Sequence, residues 1–185
     1  MKRFLMIAAA TVMVLGMGAG RAMAASNSLS AGSMGFSAGF DNNYTFVEDR
    51  NMGTNISARY FFSDTLAITA TVGMETQGGD SDSDYASLGA GVRYYLGTDD
   101  LALFLGGGVT MVKYEVANAA GVTTKDVSAV DLAVGFGGEY FLHPKFSLEA
   151  QVGLGFGSVD DDVVGAADYT YFGTRTVGVS ANFYF

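Results

Sequence analysis

The chain of 185 residues contains no cysteine, no tryptophan, one proline and one histidine. The lack of cysteine excludes both a disulfide-stapled secreted mini-domain and a lipid-anchored lipoprotein. Basic residues are also scarce, at 10 against 19 acidic residues, and this balance argues against nucleic acid as a partner. A single histidine leaves little material for acid–base catalysis.

The first 24 residues have the pattern of a cleaved secretory signal peptide. Lys2 and Arg3 form a charged start, residues 4–18 form an apolar stretch, and Ala22-Met23-Ala24 form a small-residue cleavage site. A retained transmembrane anchor is the alternative, but the apolar stretch is short for a bilayer span. We therefore expect a signal peptide over residues 1–24 and one mature domain over residues 25–185. The mature domain has no run of about 20 apolar residues, so it offers no transmembrane helix.

Apolar side chains alternate with small or polar ones through most of the mature domain. About eight segments show this period of two, each near the 9–11 residues of a tilted transmembrane strand. In the last segment one face holds Val177, Val179, Ala181, Phe183 and Phe185, and the other holds Gly178, Ser180, Asn182 and Tyr184. An apolar outside and a small, polar inside predict an all-β, transmembrane, antiparallel up-and-down β-barrel. A soluble barrel or sandwich, the alternative, would expose more Lys and Glu.

The connections between segments predict the orientation of this barrel. Residues 63–65, 97–100 and 143–145 form short turns, whereas residues 41–53, 76–84, 113–126 and 158–168 form longer, polar and acidic loops. Short turns of outer-membrane barrels face the periplasm and long loops face outward.

A short repeat marks the periplasmic end of each even-numbered strand. Its copies are Ala58-Arg-Tyr-Phe-Phe62, Val92-Arg-Tyr-Tyr-Leu96, Gly138-Glu-Tyr-Phe-Leu142 and Ala181-Asn-Phe-Tyr-Phe185. Aromatic rings favour the headgroup level of a membrane, so the outward rings predict a periplasmic aromatic girdle. The girdle consists of Tyr60, Tyr94, Tyr140, Phe183 and Phe185.

The inward positions of the same repeat predict a charge cluster in the lumen. One layer holds Arg59, Arg93, Glu139 and Asn182, and the layer below holds Phe61, Tyr95, Phe141 and Tyr184. Buried arginines need acidic partners, which we expect to be Glu139 and Glu149, with Asp131 and Glu75 as further candidates. An eight-stranded interior is only wide enough for side chains, so filling of the barrel floor is favoured over a selectivity ring. Glu139 and Glu149 facing each other across the lumen as paired carboxylates is a further alternative.

The motifs that normally carry chemistry are incomplete. Asp80-Ser-Asp-Ser-Asp84 opens like a calcium loop, but Tyr85 replaces the required glycine and Gly91 the bidentate glutamate. The carboxylates of residues 160–162 lack other ligands. His143 lies in a turn before Pro144, away from any nucleophile. We assign no catalytic residue, no cofactor and no metal site.

This pattern, with its alternating last strand ending on Phe185, resembles the small eight-stranded outer-membrane β-barrels of the OmpX, OmpW and OmpA-barrel type. The resemblance implies location in the bacterial cell outer membrane, among outer-membrane lipids and lipopolysaccharide. It also implies biogenesis through periplasmic chaperones and the barrel-assembly machinery, with Phe185 as the assembly signal.

We expect a structural or surface-interaction role without enzyme activity. A narrow, porin-like passive channel for small solutes is the alternative, and an outer-membrane lipid-modifying enzyme is a remote one.

Overall fold

The computed structural model describes residues 29–41, 53–78, 81–97, 99–163 and 167–185. These residues form eight strands, in which each strand pairs antiparallel with its neighbours in sequence and the first closes against the last. The strands are β1 (Met34–Asp41), β2 (Gly53–Phe61), β3 (Leu66–Gln77), β4 (Ser81–Tyr95), β5 (Leu101–Asn118), β6 (Thr123–His143), β7 (Phe146–Asp161) and β8 (Tyr169–Tyr184). The predicted up-and-down barrel is confirmed. The predicted signal peptide lies outside the described residues.

The strand register gathers the predicted apolar positions on the outer surface. Leu88 of β4 pairs with Met111 of β5, which pairs with Val130 of β6, and all three side chains are about half exposed. So large an apolar surface is stable only against an apolar medium. The apolar stretch of β5, from Leu101 to Met111, has the length of the 9–11 residues expected for a tilted membrane strand. Among the described residues, no helix is long and apolar enough to cross a membrane.

We call the end of the barrel that carries the predicted long loops the loop end. At this end the strands are longer than the sequence predicted. β5 runs to Asn118 and β6 begins at Thr123, so most of the predicted loop 113–126 is paired strand. Likewise, Ser81–Asp84 belongs to β4, and β7 runs to Asp161, inside the predicted loop 158–168. These loop predictions were wrong in extent.

The physical reason is that the alternation changes phase beyond the apolar band. On β5, Val112 and Tyr114 are buried toward the lumen, while Lys113 and Glu115 carry the solvent-exposed positions. The projecting sheet is thus apolar inside and polar outside, as in a soluble protein. At the loop end, polar residues at outward positions interrupt the alternation that is typical of a membrane strand, but the strand itself continues.

The described residues form two apolar clusters inside the barrel. The loop-end cluster contains Tyr85, Val112, Tyr114, Val127, Ala129 and Val159. The opposite end, which carries the short turns, is called the turn end. Its cluster, the aromatic floor, contains Phe61, Tyr95, Phe104, Phe141 and Tyr184, together with Leu29, Ala67 and Ala102.

Candidate functional site

The structure brings the four predicted charged residues together directly above the aromatic floor. Arg59 Nη1 lies 3.0 Å from Glu139 Oε2, and Arg59 Nη2 lies 2.9 Å from Glu149 Oε2. Arg93 Nη1 lies 2.5 Å from the same Glu149 oxygen. The Glu149 carboxylate is therefore shared by both guanidinium groups, and the charge cluster of these four residues is formally neutral.

The two glutamates are adjacent and do not face each other across the lumen. Glu139 of β6 pairs directly with Glu149 of β7 because the tight connection at Pro144 and Lys145 sets the register between the two strands. The interpretation of carboxylates paired across the lumen is wrong on this geometry. Arg59 lies between the two carboxylates and offsets the repulsion that adjacent like charges would otherwise produce.

Glu139 is fully buried and is surrounded by hydrogen-bond donors. The Tyr95 hydroxyl and the Asn182 side-chain amide each donate to it at 3.0 Å. The Tyr95 hydroxyl donates to Oε2, whereas the hydroxyls of Ser147 and Tyr184 donate to Oε1, the oxygen that also accepts from Asn182. A buried charge is tolerated only when its lone pairs are satisfied in this way, so the network fixes one arrangement of the lumen.

Arg93 is held by an additional contact that the sequence did not indicate. Its guanidinium carbon lies 4.3 Å from the centroid of the Phe104 ring, which is a cation–π distance. The alternation that puts Leu103 and Leu105 outward puts Phe104 inward, but it does not indicate which side chains Phe104 contacts. Gly137, its direct partner on β6, leaves the space that the ring fills.

The aromatic floor closes the lumen below the charge cluster. Ring centroids are 5.5 Å apart between Phe61 and Tyr95 and 5.6 Å apart between Tyr95 and Phe104. Phe141 and Tyr184 continue the layer, also at 5.6 Å. Since Phe61, Tyr95 and Phe104 are at most 1% exposed, no water-sized path passes between their rings.

Leu29 covers the floor from the turn end. Its side chain is buried in the floor cluster although it precedes β1. Gly32 N donates to Phe61 O at 2.8 Å, and Ala31 N donates to Asp64 Oδ1 at 2.9 Å, so the segment is tied across the mouth of the barrel. Gly32 has φ 86°, a conformation that favours glycine. Strand periodicity could not reveal Leu29, because it belongs to no strand.

A polar cavity of about 170 Å³ lies above the charge cluster, and we call it the polar chamber. Hydroxyl and small side chains form its walls, and Arg93, Glu149 and Gln151 form its base. The wall residues include Ser57, Thr69, Thr71, Ser87, Thr110 and Ser180.

The predicted girdle residues lie on the outer surface at the turn end. Tyr94, Tyr140, Phe183 and Phe185 are at least half exposed, and Tyr60 is half-buried against Phe62 at a centroid distance of 5.1 Å. Phe185 N donates to Met34 O at 2.9 Å, and its ring meets Phe36 edge-on.

The remaining candidates lie apart from the charge cluster. Asp131 is buried near the loop end and accepts a hydrogen bond from the Tyr171 hydroxyl at 2.5 Å, whereas Glu75 is exposed on β3. His143 is exposed at the end of β6 and accepts from Lys145 N at 3.2 Å. On the outside of the loop end, a hydrogen bond to Asp126 raises the pKa of Lys113 above its ordinary value.

The part of the chain that the structure describes contains no set of side chains arranged to bind a metal ion. No group of three or more His, Cys, Asp or Glu side chains is placed there to hold a metal ion. Of the calcium-loop-like motif, Asp80 lies outside the described residues, and Ser81–Asp84 is extended strand paired with β5. An extended strand cannot wrap a cation as a calcium loop does.

No protein-family model matches the chain, and a search of curated proteins finds no match. Solved structures do match its fold. The N-terminal β-barrel domain of Pseudomonas aeruginosa OprF aligns with a TM-score of 0.54 at 16% identity, covering 84% of this chain and 98% of that one. The outer membrane protein OprG from Pseudomonas aeruginosa aligns with a TM-score of 0.54 at 15% identity, covering 84% and 97%. The chain therefore has the fold of small eight-stranded outer-membrane barrels, as its sequence predicted.

Proposed function

We propose that the chain is a non-enzymatic outer-membrane barrel protein with a structural or surface-interaction role and a lumen closed to ions. One observation carries the proposal, which is the charge cluster resting on the aromatic floor. Both arginines are engaged by carboxylates, and the rings below them are buried. An eight-stranded lumen filled in this way contributes to stability and leaves no continuous path.

The outer surface supports a position among outer-membrane lipids and lipopolysaccharide. Its exposed apolar side chains form a band that on β5 spans Leu101 to Met111, and polar side chains follow at the loop end. In this orientation the short turns face the periplasm. Periplasmic chaperones and the barrel-assembly machinery remain the proposed partners during biogenesis, with Phe185 as the proposed assembly signal.

The polar chamber favours a second candidate, a narrow passive channel for small solutes. Its hydroxyl-lined walls would suit a water-filled path. The aromatic floor opposes this reading, because a solute leaving the chamber toward the turn end would have to displace buried rings. An outer-membrane lipid-modifying enzyme has still less support, since the only histidine of the sequence, His143, is exposed at the end of β6 and accepts a hydrogen bond from the backbone N–H of Lys145.

Swelling of proteoliposomes in an isotonic solution of a small sugar distinguishes the closed barrel from the channel. We expect vesicles with the native protein to swell no faster than protein-free vesicles, because the floor blocks the path. A general porin in parallel vesicles provides the positive control. Swelling that grows with the amount of native protein would overturn the closed-lumen proposal and favour the channel.

A further inference from the structure

We propose that the barrel-assembly machinery recognises three internal segments of this chain in addition to the end of β8. The segments are residues 58–62, 92–96 and 138–142, which are the internal copies of the short repeat in the sequence. The inference rests on the proposed function, in which the copy at residues 181–185 carries the assembly signal. It goes beyond that function because it assigns the same partner to β2, β4 and β6.

The four copies have the same backbone surroundings in the folded barrel. In each copy the N–H group of the inward aromatic residue donates to the carbonyl oxygen of the residue directly before the preceding odd-numbered strand. The four hydrogen bonds are Phe61 N to Ser33 O at 3.1 Å, Tyr95 N to Thr65 O at 2.7 Å, Phe141 N to Asp100 O at 2.7 Å and Tyr184 N to Lys145 O at 3.0 Å. The described strands therefore form a ring of four hairpins, and the copy on β8 occupies one of four equivalent positions.

The exposed side chains of the copies also match. The third residue of each copy is an aromatic residue of the predicted girdle, and the fifth is a leucine or phenylalanine. The fifth residues are Phe62, Leu96, Leu142 and Phe185, with exposed fractions of 58%, 55%, 58% and 63%. A partner that binds an extended strand through its alternate side chains would meet the same surface in all four copies.

Filling of the lumen does not by itself require this repeat. The aromatic floor also takes a ring from Phe104, which belongs to the odd-numbered strand β5 and to no copy. At the same end, the second residues of the four odd-numbered strands are small, namely Gly35, Ala67, Ala102 and Ser147. Floor rings can thus come from other positions, yet every even-numbered strand has an aromatic residue at the equivalent one.

Recognition of the internal copies belongs to the time before the barrel closes. In the closed barrel every strand is paired on both sides, so its backbone groups are already engaged. An unpaired copy offers the N–H and C=O groups of a strand edge together with a row of large apolar side chains. Since all even-numbered strands run toward the turn end, a partner that pairs with β8 would pair with the internal copies in the same direction.

Two leucines at the turn end provide a matched pair for the test. Leu142 is the fifth residue of the copy on β6 and is 58% exposed, whereas Leu101 begins β5 outside any copy and is 54% exposed. Leu142→Ser and Leu101→Ser therefore remove the same side chain from the same end of the outer surface.

Each full-length variant, and a variant that lacks Phe185, is produced at a low level in a Gram-negative host. The amount of folded protein in the outer membrane is measured by its gel mobility without boiling. Refolding of the purified variants into detergent micelles measures folding without the machinery. Leu96→Ser replaces Leu142→Ser if the latter does not refold in micelles.

We expect the outer-membrane level of Leu142→Ser to be about threefold or more below that of Leu101→Ser, because the machinery loses one anchoring side chain. Both variants should refold in micelles to the same extent. Equal outer-membrane levels of the two variants would overturn the internal recognition sites. A deficit of Leu142→Ser that refolding in micelles reproduces would also overturn them, since it would involve no machinery.

The variant that lacks Phe185 separates this inference from the proposed function. A low level of that variant, together with equal levels of the two leucine variants, would overturn the internal sites and leave Phe185 as the assembly signal. The closed lumen is tested independently by the swelling of proteoliposomes.

Discussion

Glu149 is the residue on which both arginines of the lumen converge. It accepts from Arg59 at 2.9 Å and from Arg93 at 2.5 Å, and its side chain is only 3% exposed. Removal of one partner from a buried ion pair leaves an uncompensated charge, which costs more than the pair itself contributes. In this cluster, loss of the carboxylate charge would leave two guanidinium groups with one remaining acidic partner, Glu139.

We therefore expect Glu149→Gln, which keeps the shape but not the charge, to lower the free energy of unfolding by about 3–5 kcal/mol. Urea-induced unfolding in lipid vesicles measures the change. Glu115→Gln is the matched control, because Glu115 is exposed and lies 3.7 Å from Lys113, so its loss should cost about 1 kcal/mol or less. Equal effects of the two substitutions would show that the lumen cluster does not stabilise the barrel.

The repeat at the strand ends allowed Arg59, Arg93 and Glu139 to be predicted as one layer, because every second residue of a strand faces inward. The same rule could not supply the contacts of Phe104, which depend on the space left by Gly137 on the next strand. It also could not supply Leu29, whose position depends on turn hydrogen bonds before β1. The contacts of such residues depend on the register between strands and on local turns, which alternation does not reveal.

Leu29 gives a separate prediction for the closed turn end. We expect Leu29→Ser to lower the free energy of unfolding by about 2 kcal/mol, the scale of burying one leucine side chain. Ala31→Ser, at an exposed position of the same segment, should have little effect. The same urea titration measures both variants, and unchanged stability of Leu29→Ser would contradict the assignment of Leu29 to the floor.

At the scale of the strands, the wall is shaped by glycines where side chains or backbones approach closely. A β-carbon at Gly137 would lie 2.7 Å from Ala150 O and would also collide with the Phe104 ring. A β-carbon at Gly106 would have Arg93 Cγ as its nearest neighbour, at an ordinary contact distance of 3.6 Å. The two positions therefore differ in tolerance although both are strand glycines.

Gly137→Ala should destabilise the barrel by about 1–3 kcal/mol, as expected for overpacking of a filled interior. Gly106→Ala should change stability by less than about 1 kcal/mol, because its new methyl group makes only ordinary contacts. Thermal unfolding followed by circular dichroism provides the comparison. A larger loss for Gly106→Ala than for Gly137→Ala would contradict the described packing of Phe104.

The strands also explain which parts of the fold were predictable. The membrane band follows from one strong alternation of apolar and small residues, which the sequence displays openly. The loop-end extensions carry the opposite phase, with Val112 and Tyr114 inward and Lys113 outward. Charged residues there were interpreted as loops because a strand outside the membrane and a polar loop have similar compositions. A membrane strand differs from both.

At the scale of the whole molecule, the barrel combines an apolar outside, a closed floor and a polar chamber. Closure of the strand ladder satisfies the backbone groups that lipid cannot solvate. Whether the barrel is a structural protein or a pore then depends on whether the side chains in the lumen block the passage of ions and solutes. Both alternatives share the fold of the OprF barrel domain and OprG, so fold alone does not separate them.

A single-channel recording of the native protein refolded into a planar lipid bilayer tests the closed lumen most directly. Correct insertion is checked by the different gel mobility of boiled and unboiled samples, since a closed barrel resists mild detergent. With the charge cluster and the aromatic floor in place, we expect a bilayer current no different from the protein-free baseline. Steady, ion-selective current steps from inserted native protein would contradict the account.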